Sequence, residues 1–281
     1  GQVSNIDSDH LEELHASAIS DDVIRASGIY TAHAGDELPE PLRWIADRVD
    51  TLPALVYPMV EAGCGVTWQV KPQPGSLVDE KGRPRKYICP AKDGSNISPS
   101  FIERRPITSA TRRVLVVEGT KQALAAMTWT GDETAVYCIP GIQTWMGGED
   151  GPNPAFSRLK EKSVYIIPDA DAGSNRAVYD GAQALGEHCK AWGASPVRFV
   201  RMPGHGSQGL DDVLATVDDD ERSEMLELWI RQAQGKPASK MPKRASKKQR
   251  SNTDETRNDS RPKLYTDLPP ETLWDLSLIH I

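Results

Sequence analysis

Cysteine is too sparse and too scattered here to build a scaffold. The 281 residues contain four, Cys64, Cys89, Cys138 and Cys189, with no Cys-x-x-Cys pair, and none of the six histidines completes a zinc spacing. That argues against a disulfide framework and structural zinc, and the four read as buried, reduced thiols of a cytoplasmic protein. Aromatic residues make only 6% of the chain, and 22 Gly with 21 Pro are too few for a fibrous protein. No run approaches the ~18 consecutive apolar residues of a membrane span. Gly1 opens the chain without a charged-then-apolar leader, so nothing suggests export, and the missing Met reads as a processed, tagged or truncated start. With 38% hydrophobic residues the chain can bury the core of one large domain or two ordinary ones.

Charge is unevenly shared, with acids in excess over the body and bases in excess near the end. The net charge is −7, yet residues 236–263 carry Lys236, Lys240, Lys243, Arg244, Lys247, Lys248, Arg250, Arg257, Arg261 and Lys263 against three acids. An acidic body followed by a basic, Ser/Lys/Pro-rich stretch predicts a folded unit with a disordered basic linker over 235–263. The linker can meet nucleic-acid phosphates by charge alone, or serve as a solvated spacer with no partner. Residues 264–281 read as the start of a truncated or non-native C-terminal segment.

Periodicity divides the rest in two. Over 1–108 the pattern predicts a small α+β region. Its helices are expected over Asp9–Ala18, Ser20–Ser27 and Pro41–Val49, with Asp9 and Ser20 as N-caps and Gly28 as a stop. Its strands are expected over Ala54–Val60, Gly65–Val70 and Tyr87–Cys89. From 109 to 234 strands and helices alternate. Strands are expected over Val114–Val117, Ala135–Ile139, Ser163–Ile167 and Pro196–Arg201, with helices over Lys121–Trp129 and Asn175–Trp192. Short, wholly apolar strands alternating with helices predict an α/β domain whose parallel sheet, about four strands wide, is covered on both faces.

In such a sheet the functional side chains stand just past the carboxyl ends of the strands. Glu118 follows the first of these strands, and Asp169 and Asp171 follow the third. Alternate residues put both aspartates on roughly one side, able to face one cation. Clustered carboxylate oxygens suit Mg2+, which prefers hard ligands and bridges to phosphate. Asp211 and Asp212 add a further acidic pair after the fourth strand. Each feature also has a plain reading: Asp-x-Asp as a turn or helix cap, and Asp211 and Asp212 as the acidic first turn of a helix. Glu118-Gly119-Thr120-Lys121 lacks the upstream glycine and the Lys-Ser/Thr pair of a phosphate loop.

The conjunction of Val116-Val117-Glu118-Gly119 with Ile167-Pro168-Asp169-Ala170-Asp171 resembles the Toprim fold, shared by bacterial-type primases, type IA and II topoisomerases and some nucleases. The wider order narrows the likeness: Lys121 and Ala125, Gly141 with Trp145, Ala177-Val178, Gly193-Ala194, and Gly209-Leu210-Asp211-Asp212 with Leu214. Over about residues 9–216 the chain is similar to an uncharacterised Toprim-like family of phage, plasmid and integrative-element replication proteins, often placed before a helicase-type ATPase. The chain departs from the Toprim pattern at Pro168, and it has no zinc ribbon.

The resemblance implies a primase-like replication protein performing Mg2+-dependent nucleotidyl or phosphodiester transfer in the cytoplasm. Asp169 and Asp171 would hold the metal, joined by Asp211 or Asp212, with Glu118 as general acid/base or sharing the metal. Lys121 would touch a phosphate, unless it faces solvent. Arg83, Arg85 and Lys86 would guide a strand, unless they are only a solvated loop. The implied partners are single-stranded DNA or a primer–template, nucleotides, and a helicase-type ATPase fused or separate. A Toprim nuclease and a non-catalytic nucleic-acid-binding module working with a helicase are the alternatives.

Overall fold

A computed structural model of the chain describes residues 5–243. The linker beyond Lys243 and the segment 264–281 lie outside the described residues. The chain opens with α1 (Ser8–His15) and α2 (Asp21–Ala26), the second capped by Ser20 Oγ, which accepts from the Val23 amide. Strand β1 (Tyr30–Ala32) follows, then a 3-10 helix over Glu40–Asp47 and the hairpin of β2 (Ala54–Glu61) and β3 (Gly65–Lys71). Strand β4 (Ile102–Arg105) leads into β5 (Arg113–Glu118), α3 (Thr120–Trp129), β6 (Thr134–Ile139) and β7 (Ser163–Ile167). Helix α4 (Arg176–Ala191), β8 (Val197–Phe199), α5 (Leu210–Ala215) and α6 (Arg222–Arg231) complete the order.

All these strands share one mixed sheet in the order β1-β2-β4-β6-β5-β7-β8, with β3 paired to β2. The pairs β6–β5, β5–β7 and β7–β8 are parallel, while β4 joins β6 antiparallel and so connects the N-terminal strands to the parallel ones. The α/β expectation, with a parallel sheet flanked by helices, is therefore met.

Alternation along the strands assigns the two faces. Leu115, Val117, Val136 and Cys138 turn toward α1, α2, α3, α5 and α6. Val114, Val116, Ala135, Tyr137, Val164 and Ile166 turn toward α4 and an aromatic group. There Phe101 stacks between Tyr137 and Phe156 at centroid distances of 4.7 and 3.9 Å. Burying each such ring contributes about 1.5–3 kcal/mol, enough to anchor the long connection from β6 to β7. Among the described residues no helix is long and apolar enough to cross a membrane.

Several local expectations are corrected. Asp7, without a side-chain cap bond, replaces Asp9 as the N-cap of α1. Where an α-helix was expected over Pro41–Val49 the chain forms a 3-10 helix over Glu40–Asp47, since Leu42 and Ile45, three apart, share its buried face. Tyr87–Cys89 is no strand: only Ile88 bridges Val70, because Pro84 and Pro90 on either side lack an N–H. Strands β1 and β4 were not foreseen. β4 reads Ile-Glu-Arg-Arg, a loop-like composition, yet Glu103 and Arg105 find their partners within the fold. Glu103 accepts from Arg158 at 2.7 Å and from Tyr137 at 2.8 Å, and Arg105 donates to several carbonyls at the end of α3.

Candidate carboxylate site

The connections place a topological switch point on the central strand. From β5 the chain crosses to β6 on one side and then returns past β5 to β7 on the other. Helix α3 packs on one face of the sheet and α4 on the opposite face, so a crevice opens at the carboxyl ends of β5 and β7. Glu118 is the last residue of β5, and Asp169 stands two residues beyond β7. The turn after Glu118 is made by Gly119 at φ +89°, with its amide donating to the Ile139 carbonyl at 2.7 Å. A side chain is strained in that left-handed region, which explains glycine there.

Glu118 Oε1 accepts from the Ile142 amide at 3.1 Å, while Oε2 is buried and has no partner. Burial pushes its carboxyl up to about 7, with the charges of Asp169 and Asp171 adding to the rise and the Ile142 bond opposing it. Asp169 is pushed up to about 6, first by burial and then by Asp171, Asp211 and Asp212, against a hydrogen bond of 2.8 Å from Gln122 Nε2. Asp171 Oδ2 accepts from Asn175 Nδ2 at 2.9 Å, and its Oδ1 is buried without a partner.

Asp211 is 5% exposed, and burial raises its carboxyl, opposed by Lys121 and reinforced by Asp212. Asp212 Oδ2 accepts from the Gly209 amide at 3.1 Å and caps α5, so its first-turn helix role is realised. Asp169 thus joins the acidic residues: it feels Asp171, Asp211 and Asp212, while Glu118 feels Asp169 and Asp171.

Lys121 belongs to the rim of this cluster and is neither solvent-facing nor free. Its side chain is 16% exposed, donates to Ser17 Oγ at 2.8 Å, and stands 3.5 Å from Glu13 Oε1 and 3.8 Å from Asp211 Oδ2. Arg83, Arg85 and Lys86 lie apart, in the loop after β3. Arg83 pairs with Asp79 at 2.6 Å, and the Lys86 ammonium sits 5.6 Å from the Tyr87 ring centroid. The loop returns toward the acidic residues at Tyr87, whose hydroxyl is raised by burial and by the charges of Glu13, Asp211 and Asp212.

Sequence reasoning missed two polar residues, Gln122 at the crevice and Arg104 on β4. Gln122 is 8% exposed, holds Asp169 with its amide nitrogen, and leaves Oε1 buried and unpartnered. Arg104 donates to the Pro58 carbonyl at 2.9 Å and leaves Nε and Nη2 buried without partners. A glutamine inside a helix pattern and an arginine in a charged run carry no signal of such burial.

Among the described residues no three His, Cys, Asp or Glu side chains converge tightly enough to enclose an ion. Mg2+ does not require this, since it binds through one or two carboxylates and keeps waters or substrate phosphates in its other positions. The orphaned oxygens of Glu118 and Asp171 fit such a cation, because each is a buried acceptor with no donor to satisfy it.

No family model matches the chain, and no curated protein sequence does. Solved structures do match in fold. A DnaG catalytic core has a TM-score of 0.54 at 16% identity, over 81% of this chain and 73% of that one. A DnaG primase catalytic domain bound to single-stranded DNA gives 0.53 at 16% identity, over 81% and 74%. The zinc-binding and RNA polymerase domains of the Aquifex aeolicus primase give 0.51 at 15% identity, over 81% of this chain and 56% of that one. The chain is similar in fold to the catalytic core of bacterial primases.

Proposed function

We propose that the chain is a primase-like module of DNA replication, performing Mg2+-dependent nucleotidyl transfer on single-stranded DNA or a primer–template. The observation that carries the reading is the pair of buried, unpartnered oxygens, Glu118 Oε2 at the end of β5 and Asp171 Oδ1 in the 3-10 helix Ala170–Gly173 that follows the adjacent parallel strand β7. The fold likeness to primase cores supports it, as does the position of the acidic cluster at the switch point. The setting in a phage, plasmid or integrative element, and a helicase-type ATPase as partner, are part of the same proposal and rest on the sequence motifs.

Asp169 and Asp171 would hold Mg2+, with Asp211 at the edge of the site. When bound, the ion neutralises charge on a transferring phosphate and orients the attacking oxygen. Burial raises the Glu118 carboxyl above the usual carboxylate range, which suits a general base working near neutral pH. It takes the proton of a nucleotide 3′-hydroxyl as that oxygen bonds to the α-phosphorus of the next nucleotide and the bond to pyrophosphate breaks. Gln122 fixes the direction of Asp169. Asp212 is engaged in capping α5.

The test is incubation of the full chain with labelled single-stranded DNA, nucleotides and Mg2+, beside Glu118→Gln and Asp169→Asn. New primers made by the wild type and lost in both variants are expected. Shortened DNA without added nucleotide would assign water as the nucleophile and make the chain a nuclease. Intact DNA that is bound but never extended would make it an accessory module.

A further inference from the structure

The chain does not leave the fold after α6. Residues 232–243 turn back along the edge of β8, where Phe199 and Gln234 exchange backbone hydrogen bonds of 2.7 and 2.8 Å. Arg201 holds this strap through Nε to the Lys236 carbonyl at 3.1 Å and Nη1 to Ser239 Oγ at 3.0 Å. Arg176 Nη1 reaches the Pro242 carbonyl at 3.3 Å, and Ala238 packs over Gly173. Pro237 and Pro242 are buried in the strap at no cost in orphaned N–H groups.

Between the strap and the turn after β7 lies a cavity of about 400 Å³, whose walls include Asp169, Ala170, Arg201, Met202 and Lys240. Its volume is that of a small-molecule site. Neither Arg201 nor Lys240 forms an ion pair among the described residues. The strap carries Lys236, Lys240 and Lys243 and no acidic residue, in contrast to the acidic body. Two unpaired cations thus share one cavity with a carboxylate of the acidic cluster. A bare phosphodiester is drawn by the cations and repelled by Asp169. A metal-chelated polyphosphate is attracted by both, because its metal faces the carboxylate while its terminal phosphates face the cations.

We infer that Arg201 and Lys240 form a polyphosphate subsite that receives a nucleoside triphosphate on the strap side of Asp169. The assignment rests on the nucleotidyl-transfer reading of the carboxylate site, and it adds where the substrate's phosphates lie. It also gives the strap a purpose, since the strap brings Lys240 back beside the turn after β7.

Calorimetric titration of the full chain with Mg2+·ATP, Mg2+·tripolyphosphate and a single-stranded oligonucleotide tests this, using Lys240→Glu and Lys240→Arg. The Lys240 side chain makes no hydrogen bond among the described residues, so both variants keep the strap's anchors. Lys240→Glu is expected to weaken ATP and tripolyphosphate binding by about tenfold, with Lys240→Arg restoring both and oligonucleotide affinity unchanged. Weakened oligonucleotide binding with both polyphosphates spared would give the cations to the strand and overturn the nucleotide assignment. Equal affinities across the variants, or no tripolyphosphate binding by the wild type, would overturn it too. Binding is read without turnover, so a chain that makes no primers still gives an answer here. Primer synthesis with tripolyphosphate binding unaffected by Lys240→Glu would sink the subsite alone.

Discussion

Gln122 Nε2 donates to Asp169 Oδ1 at 2.8 Å, tying the first turn of α3 to the turn after β7. The bond spans the crevice between two parallel strands and sets the direction of one carboxylate. Gly209 makes room for it, since a Cβ there would lie 2.3 Å from Gln122 Nε2.

Removing that amide should cost metal affinity rather than fold. Gln122→Ala is expected to weaken Mg2+ binding by about tenfold or more, the usual loss when a partner of a metal-binding group is deleted. Circular dichroism should be unchanged, and calorimetric Mg2+ titration reads the loss. Gly209→Ala should act in the same direction, because its Cβ pushes Gln122 off Asp169 without any backbone strain at φ −89°.

Gly119 separates from Gly209 by cause. At φ +89° a side chain meets backbone strain but open space. Gly119→Ala should therefore destabilise the fold by about 1–2 kcal/mol, read as a lower urea midpoint at unchanged m-value.

Stability of the metal-free chain should fall as pH rises. Burial, then neighbouring negative charge, holds Glu118 up to about 7 and Asp169 up to about 6, so the folded state keeps protons that the unfolded state has already released. Their contribution is complete below the ordinary carboxylate range and lost as pH climbs from that range through about 7. The melting temperature should drop across this window, recover on adding Mg2+, and slope less in Glu118→Gln.

Glu61 is the contrasting buried carboxylate. At 2% exposure it accepts from the Ser100 amide and hydroxyl, the Phe101 amide and Asn153 Nδ2, so its oxygens are fully engaged. Glu61→Ala strands these donors and should cost about 3 kcal/mol or more, with Mg2+ affinity of the folded fraction unchanged. Thermal unfolding beside a Mg2+ titration separates the two effects.

Much of the parallel sheet was legible because buried strands are apolar on both faces. Ser163–Ile167 matches β7 to the residue, and β5 and β6 extend their expected runs by only a residue or so. The positions of Glu118, Asp169 and Asp171 at strand ends follow from those runs. Strand β4 was hidden because Glu103, Arg104 and Arg105 find partners only after distant segments assemble around them. Gln122 was hidden for the same reason, since its partner lies 47 residues away. Lys121 reads as a surface lysine until α1 brings Glu13 and Ser17 beside it. Charge pairing across the fold has no period that a single sequence can display.

The orphaned oxygens of Glu118 and Asp171 are the centre of the case, and a Mg2+ titration tests them most directly. Calorimetry on the full chain, beside Asp171→Asn and Glu118→Gln, is expected to show saturable Mg2+ binding that weakens in both variants. Binding of equal strength in all three proteins, or none in the wild type, would contradict a cation site at these strand ends.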